Sequence, residues 1–203
     1  MNKLAVLDTP DIELDSQYMP VQFAKALLPF LNKERDGSEL GHCLVECDGN
    51  TVKYTTTDGH GLVQLSSAHC WAASENRLIS RATLKEYVTS KGHSPLTYSN
   101  SYAGDFPDYQ RVVPAEEVSG WKGHDGTGRR LDFGISTRLW TAVNKVIAAI
   151  GKGHYTGYTP MRFQGTCPLS PFRIDIRGHI ASYTEKTGPL DVLLVIMPMR
   201  LDS

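Results

Sequence analysis

The sequence predicts an α+β protein built on antiparallel sheet, and three observations support this fold class. Helix-like and strand-like segments alternate at least twice along the 203 residues. Several strand-like segments are joined by short Gly-containing turns, such as D-G-N at 48–50 and D-G at 58–59, which favour antiparallel hairpins. The hydrophobic content of 40% is sufficient for a folded core. We therefore expect helices on one face of antiparallel sheets.

The first part of the chain reads as a helix followed by a β-meander. Residues 1–19 place acids between apolar side chains, which indicates a first strand or an adaptable arm. From Pro20, apolar residues recur at helical spacing as far as Leu31, and Pro29 is expected to kink or end this helix. Strands are then predicted at 41–46, 51–56 and 61–66.

A second succession of strand, helix and extended segment begins near residue 77. A short strand precedes an amphipathic helix at 81–91, and residues 94–98 read as extended. Residues 115–128 are rich in Gly and charge and have no apolar periodicity, which is typical of a linker or long loop. The sequence therefore predicts two domains, residues 1–115 and residues 116–203.

The second predicted domain contains the clearest helix in the chain, at 137–150. Its apolar residues, from Leu139 to Ile150, share one face. Strands are predicted around it at 131–135, 161–165, 172–176, 179–183 and 192–197.

Composition excludes several classes of protein. The chain has 21 Lys and Arg against 22 Asp and Glu, so it is not a histone-like nucleic-acid binder, and any DNA-facing surface must be local. The four Cys form no C-x-x-C pair, which predicts reduced thiols in a cytoplasmic protein. No apolar run approaches the roughly 20 residues of a membrane span.

Three short segments carry the most specific information. Residues 57–62 read T-D-G-H-G-L, residues 106–114 read F-P-D-Y-Q-R-V-V-P, and residues 197–201 read M-P-M-R-L. In this order they resemble the bacterial replicative sliding clamp, the β subunit of DNA polymerase III, whose motifs are T-D-G-H-R-L, F-P-D-Y-R-R-V and M-P-M-R-L. T-D-G alone is a common turn, whereas the other two matches are specific. Gly61 and Gln110 stand where the family motifs have Arg.

The resemblance implies the DNA-clamp (processivity) fold, with βαβββ repeats paired into domains that close into a ring around DNA. A family member has three domains and this chain has room for about two, so we expect a shortened form. The compact size motivates the hypothesis of a phage or mobile-element origin. Because one chain has too few repeats to surround DNA, we expect a homo-oligomeric ring, with dimer, trimer and tetramer left open.

The resemblance also implies a hydrophobic groove that binds short peptides of partner proteins, where apolar side chains receive a Leu or Phe anchor. The alternative is an ordinary core strand and a domain-linking turn, but the joint occurrence of three motifs favours the groove. Carried over motif by motif, the groove residues are Thr57, Gly59, His60, Leu62, Pro107, Arg111, Val112, Val195, Met197, Pro198, Met199 and Arg200.

A ring that slides on DNA needs positive charge around its hole to neutralise phosphate. Cations recur every seven residues on the third predicted helix and at i, i+4 on the second, which keeps each set on one side of its helix. A merely solvated charged face is the alternative interpretation. The predicted DNA-facing residues are Lys25, Lys33, Arg81, Lys85, Arg138, Lys145 and Lys152.

Motifs of catalysis are missing from the sequence. There is no P-loop, no H-E-x-x-H and no paired Cys/His spacing, so we expect neither catalytic residues nor a metal or cofactor. The expected function is that of a nucleoid-associated processivity or tethering factor. Its partners would be DNA polymerase and other proteins with clamp-binding peptides, duplex DNA without sequence preference, and a clamp loader. The alternative is a clamp-derived decoy or adaptor that binds these peptides without encircling DNA.

Overall fold

The computed structural model describes residues 13–14, 19–32, 39–48, 51–68, 76–98, 106–113, 135–151, 162–164, 171–178 and 190–197. Helices and strands alternate along these residues. The helices are α1 (Val21–Leu27), α2 (Arg81–Thr89) and α3 (Thr137–Gly151). The strands are β1 (Glu13–Leu14), β2 (His42–Asp48), β3 (Thr51–Thr57), β4 (Gly61–Ala68), β5 (Arg77–Ser80), β6 (Leu96–Thr97), β7 (Arg162–Gln164), β8 (Phe172–Gly178) and β9 (Leu190–Ile196).

One antiparallel sheet organises the described part of the chain. Its strand order is β5-β2-β3-β4-β9-β8-β7, and β1 forms a separate pair with β6. The meander β2-β3-β4 follows the predicted hairpins. The pairing of β4 with β9 then joins Leu62 to Val195 and Gly61 to Ile196, which brings two of the three motif-bearing segments side by side.

Local sequence explains how the helices begin and end. Pro29 terminates α1, because the chain passes after Leu27 into a short 3-10 turn at Leu28–Phe30, as predicted. At the start of α2, the Ser80 hydroxyl accepts a hydrogen bond from the Thr83 amide at 3.1 Å, which satisfies one of the amides left unpaired in a first helical turn.

All three helices pack on the same face of the large sheet. Alternate residues of β2, β3, β4 and β9 point to that face and form a continuous core with the apolar sides of the helices. Phe23 and Tyr54 meet there edge to face, with ring centroids 6.1 Å apart. This buried core includes Phe30, Leu65, Ile79, Leu84, Leu139, Val143, Val146, Ile174 and Leu194.

The α+β fold class, with helices on one face of antiparallel sheet, is thus confirmed. Predicted strands at 131–135 and 179–183 fall wholly or mainly outside the described residues. The predicted domain boundary after residue 115 also lies outside them and stays a prediction. The segments on its two sides share one sheet through β4 and β9, and α1 packs against α3.

Candidate functional site

The turn between β3 and β4 is held by its own side chains. The Thr57 hydroxyl donates to the Gly61 carbonyl at 2.8 Å and accepts from the Gly59 amide at 3.1 Å. Oδ1 of Asp58 accepts from the amides of His60 at 3.0 Å and Gly61 at 2.9 Å. Gly59 adopts a φ of 83°, a left-handed conformation that glycine takes without strain. The T-D-G sequence therefore specifies this turn by local chemistry.

Outside the helix-covered core, a second apolar cluster lies on the opposite face of the sheet. Leu62 and Val195, which are paired across β4 and β9, pack there with Leu44, Leu78 and Tyr109. Only 2% of each of Leu62 and Val195 is exposed. We refer to these five residues as the outer cluster. It joins the strand after the T-D-G turn, the segment at 106–113 and strand β9.

Aromatic residues fix the segment at 106–113 against the sheet. Phe106 and Tyr109 lie edge to face with centroids 6.3 Å apart, and Phe106 packs on the outer cluster. The Tyr109 hydroxyl donates to the Glu46 carboxylate at 2.5 Å and accepts from the side-chain Nε2 of Gln64 at 3.2 Å. Burial, followed by the hydrogen bond and charge of Glu46, raises the pKa of Tyr109.

Exposed residues lie close in sequence to two members of the outer cluster, Tyr109 and Val195. Val112 is 42% exposed and follows Tyr109 in the same 3-10 turn. Met197, 38% exposed, directly follows β9, and its amide donates to the His60 carbonyl at 3.0 Å. Arg111 forms an exposed ion pair with Asp108 at 2.8 Å.

Of the predicted groove residues, Leu62 and Val195 pack in the outer cluster, and Met197 is hydrogen-bonded to the T-D-G turn. Thr57 and Leu62 are buried, Pro107 is half-buried, and Gly59 and His60 are exposed in the turn. Pro198, Met199 and Arg200 lie outside the described residues. Tyr109 and Glu46 were not among the predicted site residues, although the aromatic residue inside F-P-D-Y was a visible signal.

Gly61 faces the helices rather than the outer cluster. A Cβ atom at this position would lie 2.6 Å from Cε1 of Phe30 and 3.2 Å from Cδ2 of Leu139. Both neighbours belong to the core, so there is no room for a side chain here without repacking. The Gly that replaces the family Arg therefore lets α3 approach β4 closely.

The predicted DNA-facing cations divide into two groups. Lys25, Lys85 and Lys145 are exposed on α1, α2 and α3. Arg81 is instead tied to the protein, because its guanidinium donates to the carbonyls of Leu28, at 3.2 Å, and Leu31. The remaining three predicted residues are Lys33, Arg138 and Lys152.

Arg138 lies on α3 and binds the T-D-G turn. Its Nη2 is 3.0 Å from Oδ2 of Asp58, whose side chain is only 3% exposed. Arg138 and Lys145 also line a depression of about 370 Å³ with Asp58 and Pro29, on the helix side of the sheet. Lys33 and Lys152 lie outside the described residues.

Comparison with known proteins gives a result at the level of structure. No protein-family model and no curated protein sequence matches the chain. Solved structures do match. A sliding clamp (DNA polymerase III subunit beta) from Pseudomonas aeruginosa bound to griselimycin superposes with a TM-score of 0.62 and 16% identity, covering 98% of this chain and 68% of that one.

Two further structures agree with the first. A DNA polymerase III beta subunit from Thermotoga maritima has a TM-score of 0.59 and 13% identity, covering 99% of this chain and 68% of that one. A Helicobacter pylori beta clamp in complex with diflunisal has a TM-score of 0.62 and 15% identity, covering 98% and 69%. The chain has the DNA sliding-clamp fold. The predicted resemblance is thereby confirmed, and at these identities it is a likeness of fold.

Neither a membrane-spanning helix nor a metal-binding cluster is found among the described residues. No helix among them is long and apolar enough to cross a bilayer. No group of three or more His, Cys, Asp or Glu within the same ranges is arranged to hold a metal ion.

Proposed function

We propose that this protein is a non-enzymatic DNA polymerase processivity or tethering factor. It binds short apolar peptides of polymerases and other partner proteins at the outer cluster. Copies of the chain assemble into a ring around duplex DNA, with the helix face of the sheet toward the DNA. The clamp fold supports the architecture, while the peptide site and the ring are the proposed elements.

The observation that carries the peptide site is the placement of exposed apolar side chains. Among the residues that the structure describes, the exposed large apolar side chains are Val112, Trp140 and Met197. Val112 and Met197 come from motif segments that are more than 80 residues apart in the sequence and that meet at the outer cluster. Exposed apolar side chains near a buried apolar cluster are typical of a protein-binding surface.

A direct test measures binding of a fluorescently labelled peptide that carries a Leu or Phe anchor. Met197→Asp and Val112→Asp place a charge beside the anchor without emptying the buried cluster, so each should weaken binding about tenfold or more while the fold survives. Trp140→Asp is the matched control, because Trp140 is equally exposed but lies on α3. Equal affinity for all four proteins would contradict the peptide site.

The DNA surface requires a test that spares structural bonds. Arg81 and Arg138 hold other parts of the chain, so their reversal would confuse folding with DNA binding. Lys25→Glu and Lys145→Glu change exposed side chains only. The double variant should lower DNA affinity and flatten its dependence on salt, because fewer counterions are released on binding. An unchanged salt slope would contradict the helix face as the DNA surface.

Ring formation is tested by the solution mass from light scattering over a dilution series. A stable dimer, trimer or tetramer would support encirclement of DNA, since closed cyclic symmetry is the usual route to a ring. A chain that stays monomeric both alone and on DNA would contradict it and favour the decoy or adaptor. The comparisons themselves do not favour that alternative.

A further inference from the structure

The Asp58 carboxylate connects two segments that are far apart in the sequence. Its Oδ1 accepts two amides of the T-D-G turn, from His60 at 3.0 Å and Gly61 at 2.9 Å. Its Oδ2 accepts from the guanidinium of Arg138 on α3, 80 residues away, at 3.0 Å. A carboxylate that is almost fully buried is thus satisfied on both oxygens, once by the turn and once by α3.

Gly61 provides the second half of this contact. Because it has no side chain, Leu139 and Phe30 pack directly against β4 at this point. Leu139 follows Arg138 in sequence, so the same first turn of α3 makes both the apolar and the ionic contact with the T-D-G turn. The family motif carries its Arg at the position of Gly61, whereas here a guanidinium reaches the turn from a helix instead.

The T-D-G turn also borders the proposed peptide site. The His60 carbonyl accepts the amide of Met197 at 3.0 Å, immediately after β9. Two residues before Met197, Val195 lies in the outer cluster beside Leu62. A continuous chain of contacts therefore runs from the Arg138 guanidinium through Asp58 and His60 to the exposed Met197.

We propose that Arg138 is a positioning residue for the peptide site: by binding Asp58 it holds the T-D-G turn, and with it the backbone of Met197, in the geometry that receives the peptide. This inference rests on the proposed function. It also assigns Arg138 a role other than the DNA contact predicted from its spacing. Since its side chain is 70% exposed, the pair itself is screened by water, and the effect acts through the buried carboxylate.

The test compares Arg138→Met with Lys91→Met, which removes an exposed cation just after α2 that belongs neither to the T-D-G turn nor to the outer cluster. Peptide affinity should fall about threefold to tenfold in Arg138→Met and stay within about twofold of wild type in Lys91→Met. In a double-mutant cycle, Asp58→Asn should add little to the affinity lost in Arg138→Met, because both substitutions break the same contact. Hydrogen exchange at the His60 and Gly61 amides should accelerate in Arg138→Met and stay unchanged in Lys91→Met.

A control for general destabilisation is needed, since a purely structural role would also lower stability. Leu84→Ala removes a fully buried side chain of α2 and should destabilise the fold at least as much as Arg138→Met. Measured well below the melting temperatures, its peptide affinity should equal that of wild type. If Leu84→Ala and Arg138→Met lose affinity in parallel, Arg138 has only a structural role and the inference is overturned.

The remaining outcomes separate this inference from the proposed function. If wild type binds the peptide and Arg138→Met binds it equally well, the inference is overturned and the proposed function stands. If wild type binds no peptide, both are overturned. A DNA titration completes the set: Lys145→Met should weaken DNA binding at least as much as Arg138→Met. If Arg138→Met weakens DNA binding and leaves peptide affinity unchanged, Arg138 belongs to the DNA surface.

Discussion

The two faces of the seven-stranded sheet differ in how they are covered. On one face α1, α2 and α3 bury a continuous apolar core. On the other, the segment at 106–113 covers a small cluster and leaves Val112 and Met197 partly exposed. Because side chains alternate along a strand, β4 serves both faces, with Leu65 in the helix-covered core and Leu62 in the outer cluster. The stability of the core and the proposed peptide binding can therefore be tested by separate substitutions within β4.

The largest expected difference between the two faces comes from replacing Leu by Ala at two positions of β4. Leu65→Ala leaves a cavity in an enclosed core and should lower the free energy of unfolding by about 3 to 5 kcal/mol. Leu62→Ala leaves its cavity in the smaller outer cluster, whose partly buried neighbours relax more easily, and should cost about 2 to 3 kcal/mol. Urea denaturation measures both. Peptide titration should detect a defect in Leu62→Ala alone, and a defect of equal size in Leu65→Ala would argue against separate faces.

A smaller effect is expected where α3 meets β4. Gly61→Ala places a Cβ atom 2.6 Å from the Phe30 ring and should cost about 1 to 3 kcal/mol by thermal denaturation. Gly61→Arg, which restores the family residue, should be no more stable. Combining Gly61→Ala with Phe30→Leu should recover part of the loss, since the obstructing ring edge is removed. Strict additivity of the two substitutions would contradict this account of close packing.

On the outer face, Tyr109→Phe tests the bond to Glu46. Loss of this hydrogen bond should lower the free energy of unfolding near neutral pH by about 1 to 2 kcal/mol, since a half-buried carboxylate loses its donor. The folded state raises the pKa of Tyr109 above its usual value near 10, so the unfolded chain loses the phenol proton first. This contribution is full below about pH 10 and is lost as pH rises through the raised folded pKa.

The decline of stability at alkaline pH therefore gives a second test of the role of Tyr109. Burial also raises the pKa of Tyr98 and of Cys43, and these groups are unchanged in the variant. Stability should decline less steeply with rising alkalinity in Tyr109→Phe than in wild type. Identical slopes in the two proteins would mean that Tyr109 does not titrate differently in the folded and unfolded states.

The smallest effect on stability is expected at Arg111. Its ion pair with Asp108 is exposed, so Arg111→Ala should change the free energy of unfolding by less than about 0.5 kcal/mol. If the outer face binds peptides, the same variant should nevertheless weaken their affinity, because it removes a donor at the edge of the patch. If Arg111→Ala changes the free energy of unfolding and leaves peptide affinity unchanged, Arg111 has a structural role and takes no part in peptide binding.

Local patterns predicted much of this fold. Periodicity located α3, turn residues located the β2-β3-β4 meander, and Pro29 marked the end of α1. Pairing of β4 with β9 was not predicted, because strands separated by more than a hundred residues leave no mutual signal in one sequence. The contact of Arg138 with Asp58 was missed for the same reason.

The candidate site was predicted unevenly as well. The resemblance named the three segments; Leu62 and Tyr109 of the first two share the outer cluster, and Met197 of the third is hydrogen-bonded to His60. Spacing alone placed Arg81 and Arg138 on the DNA surface, yet each guanidinium is bound to a neighbouring segment. Helical spacing fixes the direction of a side chain but not which distant group it meets. Exposure of Val112 and Met197 likewise depends on tertiary packing.

The position of β9 has a consequence for how the chain reaches its folded state. Among the described strands, β9 lies between β4 and β8, so β8 and β7 join the rest of this sheet through Leu190–Ile196. During synthesis on the ribosome, β4 must therefore wait with an unpaired edge until that segment emerges. Unpaired edges invite pairing with other chains, and such distant contacts slow folding. Efficient production of this protein is accordingly expected to depend on chaperones that shield the unpaired strand.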